Sequence, residues 1–396
     1  MFTDRLLLNE LESACPDIYA TRLEALLEVA SALQRSQNLS LSAMGKHLTG
    51  PSVLKHKIKK VDRLEGNKYL HQELNTLYEG LSRFVFKYVS HDTSIPIIID
   101  LCFVKDDRAI QMLSAEVAVK GRSIPIYREV FNEGELVDRA ERFLSSLKAC
   151  LPQDRMIVII MDAGFYEKWF KVIEGYGWYW IGRTRTGKAL KLSRETDWIA
   201  VKDFIPTIEA KTKTYPEVLL TKKHQHACRM ITTRRNPAGR KQKLRRGKST
   251  GGVGSNCYRN AAKEPWILAT NLPQTYKATH IILLYSKRMQ IEESFRDIKS
   301  PQFGLSGRYI RTTCTYRWGV KMLLAAIAQI TCWIIGVIGH SQGLQKRYQS
   351  NTVKDRKVFS YFTLGQLIIN HDGLQYIHYN ENNLSTIVQN ELARIW

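Results

Sequence analysis

"SIPIIID", residues 94–100, is a short continuous apolar run that closes on an acid. A run without polar alternation fits a strand covered on both faces. "AIQMLSAEVAV" (109–119) and "SIPIYREVF" (123–131) follow, separated by "KGR", and read as a hairpin. A helix through "ELVDRAERFLSSLKACL" (135–151) leads to a second continuous run, "MIVIIM" (156–161), which also closes on an acid, Asp162. "AGF" then makes a turn, "YEKWFKVIEGYG" (166–177) a helix and "WYWIGRTR" (178–185) a strand. Strand, antiparallel hairpin, helix, strand, helix, strand is an α/β order built on a mixed sheet.

The composition narrows the partner. The chain has 396 residues, 44% hydrophobic, with 59 Lys+Arg against 37 Asp+Glu, hence a net charge of +22. That is enough apolar material for a large core in two or three domains. It is also enough positive charge to favour a polyanion, nucleic acid ahead of an anionic membrane surface. Seven cysteines without a C-x-x-C pair argue for reduced thiols rather than a disulfide framework or a zinc site. The N-terminus has no basic region before its first apolar run, so no secretory signal is expected. "WGVKMLLAAIAQITCWIIGVIG" (318–339) approaches membrane-spanning length, but Lys321 and Gln329 interrupt it, and a buried core helix is the expectation.

Residues 1–92 read as a helical N-terminal domain. "LSLSAMGKHLTGPSVLKHKIKKVDRLEGN" gives two short helices joined by a Gly-Pro turn, the second carrying Lys55, Lys57, Lys59, Lys60 and Arg63. A helix-turn-helix presenting a basic helix to DNA has this form, and so does a small bundle with an ordinary basic face. Residues 93–190 and 263–345 read as two parts of an α/β core, which the resemblance given below implies is catalytic, and 346–396 as a C-terminal helical region. Between the core parts, residues 191–262 form a basic insertion. Its stretch 211–260 holds fourteen Lys+Arg and one acid, Glu217. Within it, "NPAGRKQKLRRGKSTGGVGSN" includes Arg245 and Arg246 and reads as a loop able to order on a phosphate backbone. It lacks the spacing and the preceding strand of a phosphate-binding P-loop. "EPWILATNL" resumes the strand pattern around Trp266–Thr270.

"YSKRMQIEESFRDIK" (285–299) follows, read as one helix. At about 100° per residue, Tyr285, Arg288, Glu292 and Lys299 share an arc of roughly 60°, with Arg296 beside them, while Glu293 points away. Glu292 is then either a metal-binding acid or part of a solvated helix face. Asp100 and Asp162 are either its partners at a sheet edge or caps of the elements that follow them. Three such carboxylates suit two Mg²⁺ ions engaged in phosphoryl transfer.

The spacing Y-x2-R-x3-E-x6-K of Tyr285, Arg288, Glu292 and Lys299 resembles the signature of bacterial insertion-sequence DDE transposases, in the branch that includes the transposase of the tetracycline-resistance composite transposon. "KHKIKKVDRLEGN", "MDAGF", "GWYW", "KEPWILATNLP", "YSKRMQIEESFRDIKSP" and "NTVKDRKV" look like the same branch. The resemblance implies a ribonuclease H-like mixed five-stranded sheet interrupted by an insertion domain. It implies cut-and-paste transposition through a hairpin intermediate, with Mg²⁺ as cofactor and Mn²⁺ as substitute. It implies double-stranded DNA partners, namely terminal inverted repeats and target, a homodimeric synaptic complex, no membrane, and a bacterial cytoplasmic, nucleoid-associated location. Asp100, Asp162 and Glu292 become the catalytic triad, and Tyr285, Arg288 and Lys299 contacts to DNA near the scissile phosphate. Trp266 matches a base-stacking Trp; its residue pattern alone equally suits a core Trp. One departure stands out: relatives place Trp and a hydroxyl or acidic residue after the first Asp, whereas Leu101, Cys102 and Phe103 follow Asp100, with Asp106 and Asp107 beyond. That departure keeps a weakened, DNA-binding-only protein as the alternative.

Overall fold

The computed structural model describes residues 2–89, 94–105, 109–119, 121–165, 167–234, 264–302, 304–307, 310–353, 356–371, 373–378 and 381–393. Two compact units emerge, one from the described residues up to Ile157 and from Arg288 onward, the other from those between Val158 and Lys287. The architecture is mixed α/β.

The first unit opens with six helices: α1 (Phe2–Ala14), α2 (Ala20–Ser36), α3 (Leu41–Lys46), α4 (Leu54–Glu65), α5 (Lys68–Gln72) and α6 (Leu74–Tyr88). Local chemistry sets their starts. Ser40 Oγ accepts the Ala43 N–H ahead of α3, and Asn67 Oδ1 accepts those of Tyr69 and Leu70 ahead of α5, satisfying otherwise unpaired amides. The basic helix α4 begins at Leu54, just past the Gly-Pro turn. Three antiparallel strands follow in the spatial order β3-β2-β1: β1 (Ser94–Phe103), β2 (Ile110–Ala118) and β3 (Ser123–Asn132), then α7 (Arg139–Ala149). Every residue of β2 is buried, as expected for a strand covered on both faces.

The chain enters the second unit along β4 (Met156–Met161). α8 (Glu167–Gly175) then crosses over to β5 (Tyr179–Arg183), parallel to β4. Next come β6 (Ala189–Lys191), β7 (Ile199–Ala200), α9 (Val201–Phe204), β8 (Lys213–Leu220), β9 (His226–Thr233), β10 (Trp266–Thr270) and α10 (Ala278–Ser286). The spatial order is β4-β5-β10-β9-β8-β6-β7, antiparallel from β5 onward. α8 is pinned to the sheet by an aromatic stack: the Phe170 ring lies parallel over that of Trp180 with centroids 3.8 Å apart, and Glu174 accepts from Trp180 Nε1 at 2.8 Å. The hairpin β8–β9 falls where the basic composition had suggested only an insertion, and the basic loop with Arg245 and Arg246 lies outside the described residues.

The return to the first unit corrects the single helix expected over 285–299. α10 ends at Ser286 and α11 runs Met289–Lys299, with Lys287 and Arg288 in a turn between them. Neither Gly nor Pro marks this break. Arg288 is drawn inward to 8% exposure by two carboxylates, so a tertiary contact overrides the local helical preference.

α12 (Thr315–Ser341), α13 (Tyr361–Asn370) and α14 (Glu381–Ala393) complete the unit. α12 is long and apolar enough to cross a membrane, yet its most apolar window is wholly buried among the protein's own elements, including β3, α2, α6 and α13. Lys321 explains how a cation survives there: it pairs with the buried Glu65 at the end of α4 and donates to the Leu39 carbonyl at 2.9 Å. Burial pushes the Glu65 carboxyl up and the Lys321 amine down, each partner opposing the other's shift. α12 and α13 cross backbone to backbone. A Cβ on Gly365 would lie 1.8 Å from the Cys332 carbonyl oxygen, and one on Gly336 1.8 Å from that of Tyr361. Gly365→Ala is therefore expected to lower the stability of this unit by about 3 kcal/mol, the upper range for overpacking, read as an earlier urea midpoint.

Candidate active site

Asp100 lies inside β1 rather than at its end, because the ladder to β2 continues as far as Phe103 opposite Gln111. This corrects the expectation that the apolar run stops there: Leu101–Phe103 go on pairing. Asp100 Oδ1 accepts the Leu101 N–H at 2.8 Å, and Oδ2 accepts from Arg288 Nη1 at 3.1 Å. Arg288 Nη2 donates to Glu292 Oε1 at 2.6 Å. One guanidinium thus gathers a strand carboxylate 188 residues away and a helix carboxylate one turn along α11. The Glu292 side chain is still 48% exposed, leaving it open to a ligand. The neighbouring Cys102 is buried, and burial pushes its thiol up to about 11, so it stays a thiol rather than a soft ligand.

The seat of α11 is built from residues that the sequence reading did not single out. On its inner face, Ser294 receives Arg128 Nη2 at 3.4 Å and Gln329 Nε2 from α12 at 3.1 Å. Arg128, on β3, also donates to Gln329 Oε1 at 2.8 Å, to Ser114 Oγ at 3.2 Å and to Glu116 at 2.9 Å, in full burial. Ser114 and Ser123 hydroxyls complete the Glu116 carboxylate. The available signal was opposite charges on the two strands of one otherwise apolar hairpin. On the flank of α11, Arg122 Nε donates to Asp297 at 2.9 Å and lies 3.5 Å from Glu293, which also pairs with Arg296. The Lys299 amine sits 5.6 Å from the Phe295 ring.

Burial pushes the Asp297 carboxyl up to about 7, with Arg122 opposing. A raised carboxyl binds its proton more tightly folded than unfolded. Its contribution to stability is therefore complete below the ordinary value of 3.8 and is lost as pH rises through about 7. Asp297→Asn is expected to flatten the fall in urea midpoint between pH 5 and pH 8 relative to wild type.

In the second unit Asp162 sits just past β4, its carbonyl accepting the Phe165 N–H at 3.2 Å in a turn. Its carboxylate is paired with Arg185 Nη2 at 3.0 Å and accepts the Tyr285 hydroxyl at 3.4 Å. Tyr285 in turn meets Trp266 edge to face, with ring centroids 5.0 Å apart. Trp266 is half-buried rather than fully in the core. Arg183, Arg185 and Lys188 line an adjoining cleft of about 440 Å³ walled by Phe165 and Phe170. Arg185, missed in the sequence, was visible as a cation just past a strand.

On α4, Lys55, Lys59 and Arg63 are exposed and Lys57 is half-buried, while Lys60 is paired with Glu28. The helix is fixed from below by Asp62 and Glu65, to Arg317 at 2.8 Å and to Lys321 respectively.

Among the described residues no group of three or more His, Cys, Asp or Glu side chains is gathered closely enough to hold a metal. The chemistry of the donor set nonetheless fits a hard divalent cation: Asp100 and Glu292 are oxygen donors already converging on one positive group.

Residues 105–328 match a family described as Transposase DDE domain. That is more than half of the chain, and the chain belongs to this family of DNA-cutting and DNA-joining enzymes, whose members generally use divalent metal ions. The matched segment contains Asp162, Trp266, Tyr285, Arg288, Glu292 and Lys299 but begins after Asp100. No curated protein matches the sequence.

Proposed function

We propose that the chain is a cut-and-paste transposase of the bacterial insertion-sequence type with the Y-x2-R-x3-E-x6-K signature. It binds the terminal inverted repeats of its element, cleaves both strands through a hairpin intermediate and joins the 3′ ends to target DNA in a dimeric complex in the cytoplasm. Asp100, Asp162 and Glu292 hold two Mg²⁺ ions on a ribonuclease H-like sheet. When bound, such ions supply Lewis-acid charge at the attacked phosphate and a more acidic attacking hydroxyl. Arg288 and Lys299 bring cationic donors for the phosphates, Tyr285 a hydroxyl, and Trp266 a face on which an unpaired base stacks. The observation that carries the reading is the convergence of Asp100 and Glu292, far apart in sequence, on one cation while Glu292 stays 48% exposed.

Nicking and strand transfer on the DNA flanking the gene, with and without Mg²⁺ or Mn²⁺, test it. Metal-dependent joining of a precut end supports the reading. End binding with no cleavage in either ion supports the alternative, a DNA-binding protein that has lost catalysis, favoured by the Leu101–Phe103 departure beside Asp100. For α4 as the DNA face, Lys59→Ala and Arg63→Ala are each expected to weaken binding across all sequences and to reduce the slope of log K against log salt by about 1.

A further inference from the structure

We propose that Arg288 is the internal counter-cation of the Asp100–Glu292 pair, and that a divalent ion must displace it to use these two carboxylates. The inference rests on reading both acids as metal ligands. Arg288 reaches Asp100 Oδ2 at 3.1 Å and Glu292 Oε1 at 2.6 Å through different nitrogens, so it spans the space between them. Its side chain is 10% exposed against 48% for Glu292, which makes the cation the buried member of the cluster. Removing that cation would leave the Asp100 carboxylate, 17% exposed, with one positive charge fewer, which is costly for a partly buried acid.

A guanidinium keeps its proton at every physiological pH, so it can leave this position only by moving. The place from which it moves is the turn between α10 and α11, where the helical hydrogen-bond ladder is interrupted. A phosphodiester offers the same two-oxygen edge as a carboxylate and can receive the fork once it swings out. In the second unit Asp162 is also paired with an arginine, Arg185 at 3.0 Å, there with the cation the more exposed member. An arginine beside each candidate acid makes bound metal compete with the protein's own charge.

Mn²⁺ titration of the DNA-free full-length protein, with free ion followed by electron paramagnetic resonance, reads this directly. Arg288→Met is expected to bind Mn²⁺ roughly 5- to 150-fold more tightly than wild type, the usual range for coupling between two sites. Arg288→Lys, which keeps the charge but loses the fork, is expected to fall between them and covers the case in which the methionine variant is too unstable to titrate. Combining either change with Glu292→Gln should remove the gain. Equal affinity in wild type and both Arg288 variants, with binding lost in Glu292→Gln, overturns the proposal and leaves the acids as ligands. Mn²⁺ binding unaltered by Glu292→Gln overturns both readings.

Discussion

Glu292→Ala is expected to abolish Mg²⁺-dependent cleavage and strand transfer, lowering the single-turnover rate by about three orders of magnitude, the scale of losing a pre-positioned electrostatic group. The site geometry makes the expectation specific. Glu292 shares Arg288 with Asp100, whereas its neighbour Glu293 faces Arg122 and Arg296 on the flank of α11. Removing Glu292 takes away one carboxylate of a converging pair while leaving a partly exposed helix position that alanine fills well, so the fold should survive. Glu293→Gln breaks only half-exposed ion pairs, a change of about 1 kcal/mol or less in stability, and should leave most activity. The two variants measured side by side on one transposon-end substrate, with circular dichroism as a fold check, decide the matter. Comparable losses in both would show that the two acids are not functionally distinct.

The second large effect is on stability. Arg128→Met or Glu116→Leu alone is expected to destabilise the first unit by about 3–5 kcal/mol, since each leaves its partner charged, buried and short of hydrogen bonds. The double variant should cost less than the sum of the two, because no orphan charge remains. Urea denaturation of the four proteins supplies the cycle. Strict additivity would mean that Arg128 and Glu116 do not act as a pair. The single variants should also lower cleavage, because Arg128 and Gln329 together hold Ser294 on the inner face of the helix that carries Glu292.

The strands were legible because burial on both faces leaves a simple mark: "SIPIIID", "MIVIIM" and "WILAT" are runs without polar interruption, and each is a strand. The hairpin β2–β3 showed itself through its turn, and α12 through the polar residues that made a membrane span implausible. The break at Lys287 and Arg288 was not legible, for neither Gly nor Pro marks it, and one of the two carboxylates that Arg288 turns toward lies on β1. The hairpin β8–β9 was hidden by the exposed Lys213 at its start and the exposed Lys222 and Lys223 at its turn, which mask the buried Val218, Leu220, Met230 and Ile231. The acids could be picked out from strand context and helical spacing, and Arg288 as a cation on the stripe of Glu292, but its pairing with Asp100 could not, because a salt bridge between distant positions leaves no periodic trace in sequence.

The interlock of α12 with the N-terminal helices has a consequence for synthesis. Lys321 answers Glu65 across 256 positions and Gln329 answers Arg128 across 201, so the first unit lacks its central helix until α12 has been synthesised. At roughly 5–20 residues per second, α2 emerges some 15–60 seconds before the helix that covers it. Through that interval the nascent protein carries an unfinished core and a loosely held α4. A product cut short before α12 would keep the basic residues of α4 without Arg317 and Lys321, which pair with Asp62 and Glu65 on that helix.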